Sequence, residues 1–572
     1  MRLEQLIEVA AGRRPADLLL ANGRIVNVLS NEVYPGDLAI TAGRIAGVGR
    51  YEARQVVDLQ GRYICPGFID AHTHIESSML SVPEYARVVA ARGTTAVVTD
   101  PHELANVLGT EGVRFVLSAS KYCPIHVYVM LSSCVPASRL ESAGAELTAV
   151  DLLPLLSDEW VLGLGEVMNF RGVIANDAEV VDKIRVAGES NVDGHAPGLT
   201  GRDLVAYVAS GIQTDHECTT VEEATEKLRL GMMIMIREGS QARDLDALLP
   251  LVTPQTADRF LFCTDDKDVD DLLEEGQIDC MVRRAVAAGV DPPLAIRIAS
   301  YNAARHYGLR RVGAICPGYH AALTVLEDLE SCRVAQVYQA GELVVQDGEC
   351  VYPESPGSRR PILRSTINVP WLEPDDFRVP CGTRPDAAVH VIELVEDQIR
   401  TNRGVETLSA VDGNVLAAPQ RDIAKIAVIE RHQASGAIGL GFVRGFGLQR
   451  GAIASTVAHD AHNLIVAGTN DADMFAAAVQ LVKIRGGLCV VAGGEVLADC
   501  PLPIAGLMSD RPADELRRQL RDLRAAAHGI GCKVRRPFMA LSFLSLSVIG
   551  SLKVTDQGLI DVDRFERLGV LA

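Results

Sequence analysis

A chain of 572 residues exceeds what one hydrophobic core organises, so two or three domains are expected. With 48% hydrophobic and 23% charged residues it is neither disordered nor fibrous, and a formal charge of -19 disfavours nucleic-acid backbone and anionic membrane as partners. Thirteen cysteines without a Cys-x-x-Cys spacing speak against a disulfide framework and a thiolate zinc site, and with no apolar export segment at the N-terminus the expected location is cytoplasmic.

Residues 17–58 alternate short apolar runs with turn pairs such as Asn22-Gly23 and Ala42-Gly43, the pattern of small hairpins. Residues 312–352 repeat that texture around Pro317-Gly318 and Ala340-Gly341, and the two pieces are expected to share one sheet. Between them, eight apolar runs end in polar residues, each followed by a helix-like stretch: 68–74, 96–102, 125–132, 161–166, 192–195, 212–216, 232–238 and 260–265. Eight such βα units close into a parallel barrel whose working residues sit at the strand ends. The Pro- and Arg-rich stretch 353–361 reads as a linker, and beyond it strands such as 426–430 and helices such as 471–484 and 514–528 mark a third domain. The predicted fold class is therefore α/β. A (β/α)8 TIM-like barrel spans 67–307, a split small β domain joins 1–66 with 308–365, and a C-terminal α+β domain spans 366–572. The apolar stretch 538–552 is interrupted by Ser542, Ser545, Ser547 and Ser551 and falls short of the ~20 residues a membrane span needs, so it is expected to be buried in protein.

The chemistry collects at the strand ends. The first run closes on Asp70-Ala71-His72-Thr73-His74, and histidines two apart on a strand share a face. Alone, that pair is more often surface than metal site. The fourth run ends at Glu166, the fifth at His195, the sixth at His216 and the eighth at Asp265. Together with His72 and His74 these form a nitrogen and oxygen donor set suited to zinc, manganese or iron, enough for two divalent ions sharing a bridging carboxylate. Four histidines and two acids at strand ends in apolar contexts are hard to explain structurally, because an unpaired buried acid is costly.

This ordered set resembles the amidohydrolase superfamily over roughly residues 16–352, including the split β domain. Many of its members bridge their metals with a carbamylated lysine on strand four, where this chain has Glu166. The segments Gly165-Glu166-Val167-Met168-Asn169, Asp193-Gly194-His195-Ala196-Pro197-Gly198-Leu199 and Thr214-Asp215-His216-Glu217 look like those of bacterial adenine deaminases. So do Val457-Ala458-His459-Asp460-Ala461-His462-Asn463, Pro501-Leu502-Pro503-Ile504-Ala505-Gly506-Leu507 and Ser545-Leu546-Ser547-Val548-Ile549-Gly550-Ser551. One departure is Ala321-Ala322-Leu323, where relatives have an Asp before the Leu; it lies away from the barrel mouth.

The resemblance implies adenine and water as reactants and a homo-oligomer, dimer or higher. A metal-bridging hydroxide would attack C6, with Asp265 carrying its proton to the departing amine. Ring attack also needs an acid or donor near a ring nitrogen, for which the end of strand two, Asp100-Pro101-His102-Glu103, and the neighbours Glu217 and Asp266 are candidates, Glu103 and His102 ahead of the rest. Met168, Asn169, Glu217 and Asp266 are candidate substrate contacts, whereas Arg237-Glu238 reads as a structural ion pair. The cluster His459, Asp460, His462 and Asn463 reads as a hydrogen-bonded loop and a candidate cover for the mouth. Two rival readings are an amidohydrolase acting on a cyclic amide or N-acyl group, and a non-catalytic purine- or metal-binding scaffold. The His-x-Glu and Pro-Cys-x-x-Cys signature of base-editing deaminases is absent.

Overall fold

The computed structural model describes residues 3–353, 366–395 and 398–572, so most of the expected linker at 353–361 lies outside the described residues. All eight expected barrel strands form: Phe68–Thr73, Thr94–Thr99, His126–Leu131, Val161–Val167, Asn191–Gly194, Thr214–Asp215, Met233–Arg237 and Phe260–Cys263. The first five pair in parallel, as do the last three. Gln213 N donates to Val192 O at 3.0 Å between strands five and six, and a parallel bridge from Thr73 to Asp265 joins strands one and eight. The result is a closed ring.

Strand alternation sorts the apolar side chains into two layers. Ile69, Ala71, Ala96, Val98, Met130, Met235, Leu261 and Cys263 fill the barrel interior, closed below by Tyr307. Phe68, Val97, Val127, Val129, Ile234, Ile236, Phe260 and Phe262 face the helices instead. On the first strand the register slips between Asp70 and Thr73. Past the slip, His72 and His74 converge with ring centroids 4.8 Å apart at the mouth.

The N-terminal strands and those at Leu323–Leu326, Val334–Gln339, Glu342–Gln346 and Glu349–Cys350 share one nine-stranded sheet. The join is Tyr63–Pro66 running antiparallel to Leu323–Leu326, with Cys65 opposite Thr324. The C-terminal region builds a second nine-stranded, largely antiparallel sheet flanked by the helices Asp471–Lys483 and Ala513–Gly529, and a three-stranded sheet at its end. It is docked on the barrel by polar contacts as well as a shared apolar core: Ser509 N donates to Met79 O at 2.7 Å and Asn463 Nδ2 to Ser142 O at 2.8 Å. The apolar stretch 538–552 folds as the short helix Pro537–Ser542, a turn, and the start of the strand Leu552–Thr555. Among the described residues no helix is long and apolar enough to cross a membrane.

Candidate metal centre at the barrel mouth

Glu166 sits at the middle of the mouth, 2% exposed. Its Oε1 lies 3.2 Å from His74 Nε2, and its Oε2 lies 2.8 Å from His195 Nδ1 and 3.2 Å from His216 Nε2. Asp265 Oδ1 faces His74 Nε2 at 3.1 Å and His72 Nε2 at 3.5 Å. Two trios of potential ligands, His72-His74-Glu166 and Glu166-His195-His216, thus share the one carboxylate. Burial alone would raise the Glu166 carboxyl, yet His195, His216 and His74 hold it well below the usual carboxylate range. In return, against the burial that lowers it, His74 is raised well above an ordinary imidazole by Asp265 and Glu166. The cluster is a negative pocket that calls for positive charge.

The surrounding residues fix these ligands. Asp100 is a hub: its carbonyl accepts from His74 Nδ1 at 2.8 Å, its Oδ1 from Ser132 Oγ at 2.6 Å and its Oδ2 from Glu166 N at 3.2 Å. A Cβ at position 165 would fall 1.9 Å from Asp100 Oδ2, so only Gly165 lets this carboxylate in. Asp70 ties strand one to strand eight through Thr264, with N and Oγ1 donating at 3.1 and 2.5 Å. Asp265 follows with φ of 56°, a left-handed conformation that asparagine and aspartate tolerate better than other side chains. There its amide donates to His72 O at 3.0 Å, and its Oδ2 takes Arg237 Nη1 at 3.1 Å.

A cavity opens above the cluster. Its floor carries His74, His102, Glu166, His195 and Asp265, its side walls Met168, Glu217, Arg237 and Asp266, and its roof His459, Asp460 and Phe543 from the C-terminal region. His102 Nδ1 stands 3.4 Å from Glu166 Oε1, with Nε2 3.8 Å from Asp460 Oδ1. His459 and Asp460 of the loop at 459–463 thus stand over the mouth.

The C-terminal region, residues 398–566, matches the family model for the adenine deaminase C-terminal domain, and residues 63–344 match that of the amidohydrolase family. An adenine deaminase of Desulfatibacillum aliphaticivorans is 49% identical over 566 residues, covering 98% of each chain. One from Geobacillus kaustophilus is 46% identical over 578 residues, covering 100% of this chain and 99% of its own. The chain belongs to the adenine deaminase family.

Amidohydrolase-family membership implies divalent metal ions, and the residues present fit them. Among the described residues neither ring nitrogen of His72 has a hydrogen-bond partner, although both are buried, and its Nε2 faces the cluster 3.5 Å from Asp265 Oδ1. His195 Nδ1 and His216 Nε2 lie 3.2 Å apart beside the same Glu166 oxygen, so the three atoms converge on one point that a cation can occupy. His74 donates through Nδ1 to Asp100 and so turns a free Nε2 lone pair to the cluster, as a metal-ligating histidine does.

Every ligand candidate read from the sequence, His72, His74, Glu166, His195, His216 and Asp265, is brought into this cluster. Of the other candidates, His102, Met168, Glu217 and Asp266 reach the cavity wall, but Glu103 and Asn169 do not. Glu103 is fully buried behind His459. Asn169 caps the helix Phe170–Ile174, its side chain accepting from Gly172 N at 2.9 Å. Arg237 is an ion-pair centre, though with Glu217, Asp244 and Asp265 rather than Glu238, which pairs with Arg284 and Arg243. Sequence reasoning missed the apolar roof of Phe543, Leu546, Ile549 and Ile399. Its one signal, the apolar run 538–552, reads equally as core.

Proposed function

We infer that this chain hydrolyses adenine to hypoxanthine and ammonia. What carries the reading is identity of 46–49% to adenine deaminases over nearly the whole chain, joined to a cluster of buried histidines and carboxylates that could hold metal ions. Divalent ions, manganese or iron ahead of zinc, would be held by His72, His74, Glu166, His195, His216 and Asp265 and would supply a water acidic enough to be hydroxide near neutral pH.

The chain's own residues do the rest. Asp265 takes the proton of the attacking water through Oδ1, the oxygen facing His72 and His74, and delivers it to the departing amine; Arg237 holds the other oxygen in place. His102, between Glu166 and Asp460, lies where a ring nitrogen gaining electron density would need a donor, and Glu103 supports that wall from behind. Met168 and the roof give the purine an apolar face, Glu217 and Asp266 offer polar contacts at the rim, and the cover excludes bulk water. Adenine and water are the reactants; the same reading makes the chain a cytoplasmic homo-oligomer with domains at 1–66 with 308–365, 67–307 and 366–572, and neither nucleic acid nor membrane is a partner. The test is direct: metal-loaded protein given adenine should release ammonia and hypoxanthine in equal amounts, and a folded, loaded preparation without turnover refutes the assignment.

A further inference from the structure

His459 comes from the C-terminal region, yet it lines the cavity above the metal cluster. Its ring is held on three sides. It stacks on Phe543 with centroids 4.5 Å apart and planes 12° from parallel. Its backbone is pinned, the amide donating to Ser542 O at 3.1 Å and the carbonyl accepting from Ser545 Oγ at 2.9 Å. Its Nδ1 faces two carboxylates, Glu103 Oε1 at 3.4 Å and Asp460 Oδ1 at 3.8 Å.

Carboxylate oxygens on that side favour the tautomer with the hydrogen on Nδ1, in which Nε2 of the neutral ring is a lone pair. Among the described residues that atom has no hydrogen-bond or ion-pair partner. Glu103 is suited to hold the ring, being fully buried and itself fixed by Ser77 Oγ at 2.8 Å.

The trio Glu103, His459 and His462 has the spacing of a metal site, but the hydrogen bonding argues otherwise. His462 Nδ1 accepts from Ala458 N at 3.1 Å, so the neutral ring carries its hydrogen on Nε2, which lies 3.7 Å from Glu103 Oε2, beyond hydrogen-bond reach. A nitrogen carrying hydrogen offers no pair to an ion. The trio is better explained as two imidazoles facing one carboxylate, which in turn orients His459.

Resting on the adenine-hydrolysis reading above, we propose that His459 is a substrate-contacting residue whose Nε2 accepts a hydrogen bond from an N–H of the purine, with Glu103 as the positioning residue that sets its tautomer. The C-terminal domain thereby completes the active site rather than merely covering it.

Two substitutions separate contact from scaffolding. His459→Asn keeps a donor near the Nδ1 position for Glu103 but loses the acceptor at Nε2; His459→Gln restores an acceptor near Nε2. The expected result is a fall in kcat/KM for adenine of about tenfold or more in H459N, with substantial recovery in H459Q, and unchanged metal content and melting temperature in both. If H459N instead matches wild type, or H459Q is the more damaged of the two, His459 serves only to brace Glu103 and the proposal is wrong. Wild-type protein is the control. If it is folded and metal-loaded but releases no ammonia from adenine, the parent reading falls and takes the proposal with it, whereas active wild type with an indifferent H459N overturns the proposal alone.

Discussion

Lys227→Met tests how the barrel holds its sixth strand end. Lys227 and Asp215 are both fully buried, with Nζ 2.9 Å from Asp215 Oδ2 and further bonds to Ala196 O at 2.7 Å and Glu223 Oε1 at 2.8 Å. Removing the ammonium strands a buried carboxylate, a change that costs about 3–5 kcal/mol where one partner of a buried pair is lost. Asp215 retains donors, from Ala196 N at 2.9 Å and Glu217 N at 3.0 Å, which places the expected loss near the low end, about 3 kcal/mol. Burial would raise the Asp215 carboxyl, but Lys227 and His216 hold it down to about 2. Its folded pKa is below the unfolded value near 4, so its stabilisation is present above about pH 4 and is lost as pH falls toward about 2. Urea unfolding from pH 7 down to 3 should show a lower midpoint in K227M and a weaker acid dependence than wild type. Asp215→Asn combined with Lys227→Met should recover at least about 1 kcal/mol relative to K227M. A single-variant loss below about 1 kcal/mol, or no coupling in the pair, would refute the argument.

Asp265→Asn should cut adenine turnover by about 100-fold to 10,000-fold, and near-normal rates would move the proton carrier elsewhere. Glu166→Gln weakens the one carboxylate common to both ligand trios, so elemental analysis after gel filtration should find bound metal reduced to half or less of wild type; full occupancy contradicts the bridging role. Lys553 donates to Ile399 O and Phe543 O at 2.7 and 2.8 Å, beneath the roof, and burial pushes its amine down to about 7. With the folded pKa below the unfolded one, stability should rise with pH between about 7 and about 10, by up to about 1.4 kcal/mol per unit. Lys553→Met should remove that part of the slope, and identical slopes in the two proteins would count against a neutral buried amine.

The barrel was legible because each strand is a short apolar run closed by a residue that does not belong in an apolar run, such as His195, His216 or Asp265. The ligand set followed from strand order alone. Other parts depend on contacts that no local pattern encodes. Alternation counted from Ile69 and Ala71, which face inward, puts His72 on the outer face; the register slip after Asp70 is what turns it to the mouth. Asn169 sits next to Met168 in sequence, yet capping a helix takes its side chain away from the cavity. Glu103 was expected to meet substrate, but His459, more than 350 positions later, stands between it and the cavity. Arg237 and Glu238 are adjacent on a strand and so point to opposite faces, which is why each pairs with different partners. The roof is the least legible part, because Phe543 and Ile549 look like core until the domain that carries them is docked.

The account turns on one reaction at one cluster. The most direct measurement is ammonia and hypoxanthine release from adenine by the purified full chain, stripped of metal and then reloaded with manganese or iron. The account predicts no turnover in the stripped protein and equal appearance of both products on reloading. Turnover that survives complete metal removal, or a folded and fully loaded protein that leaves adenine intact, would contradict it.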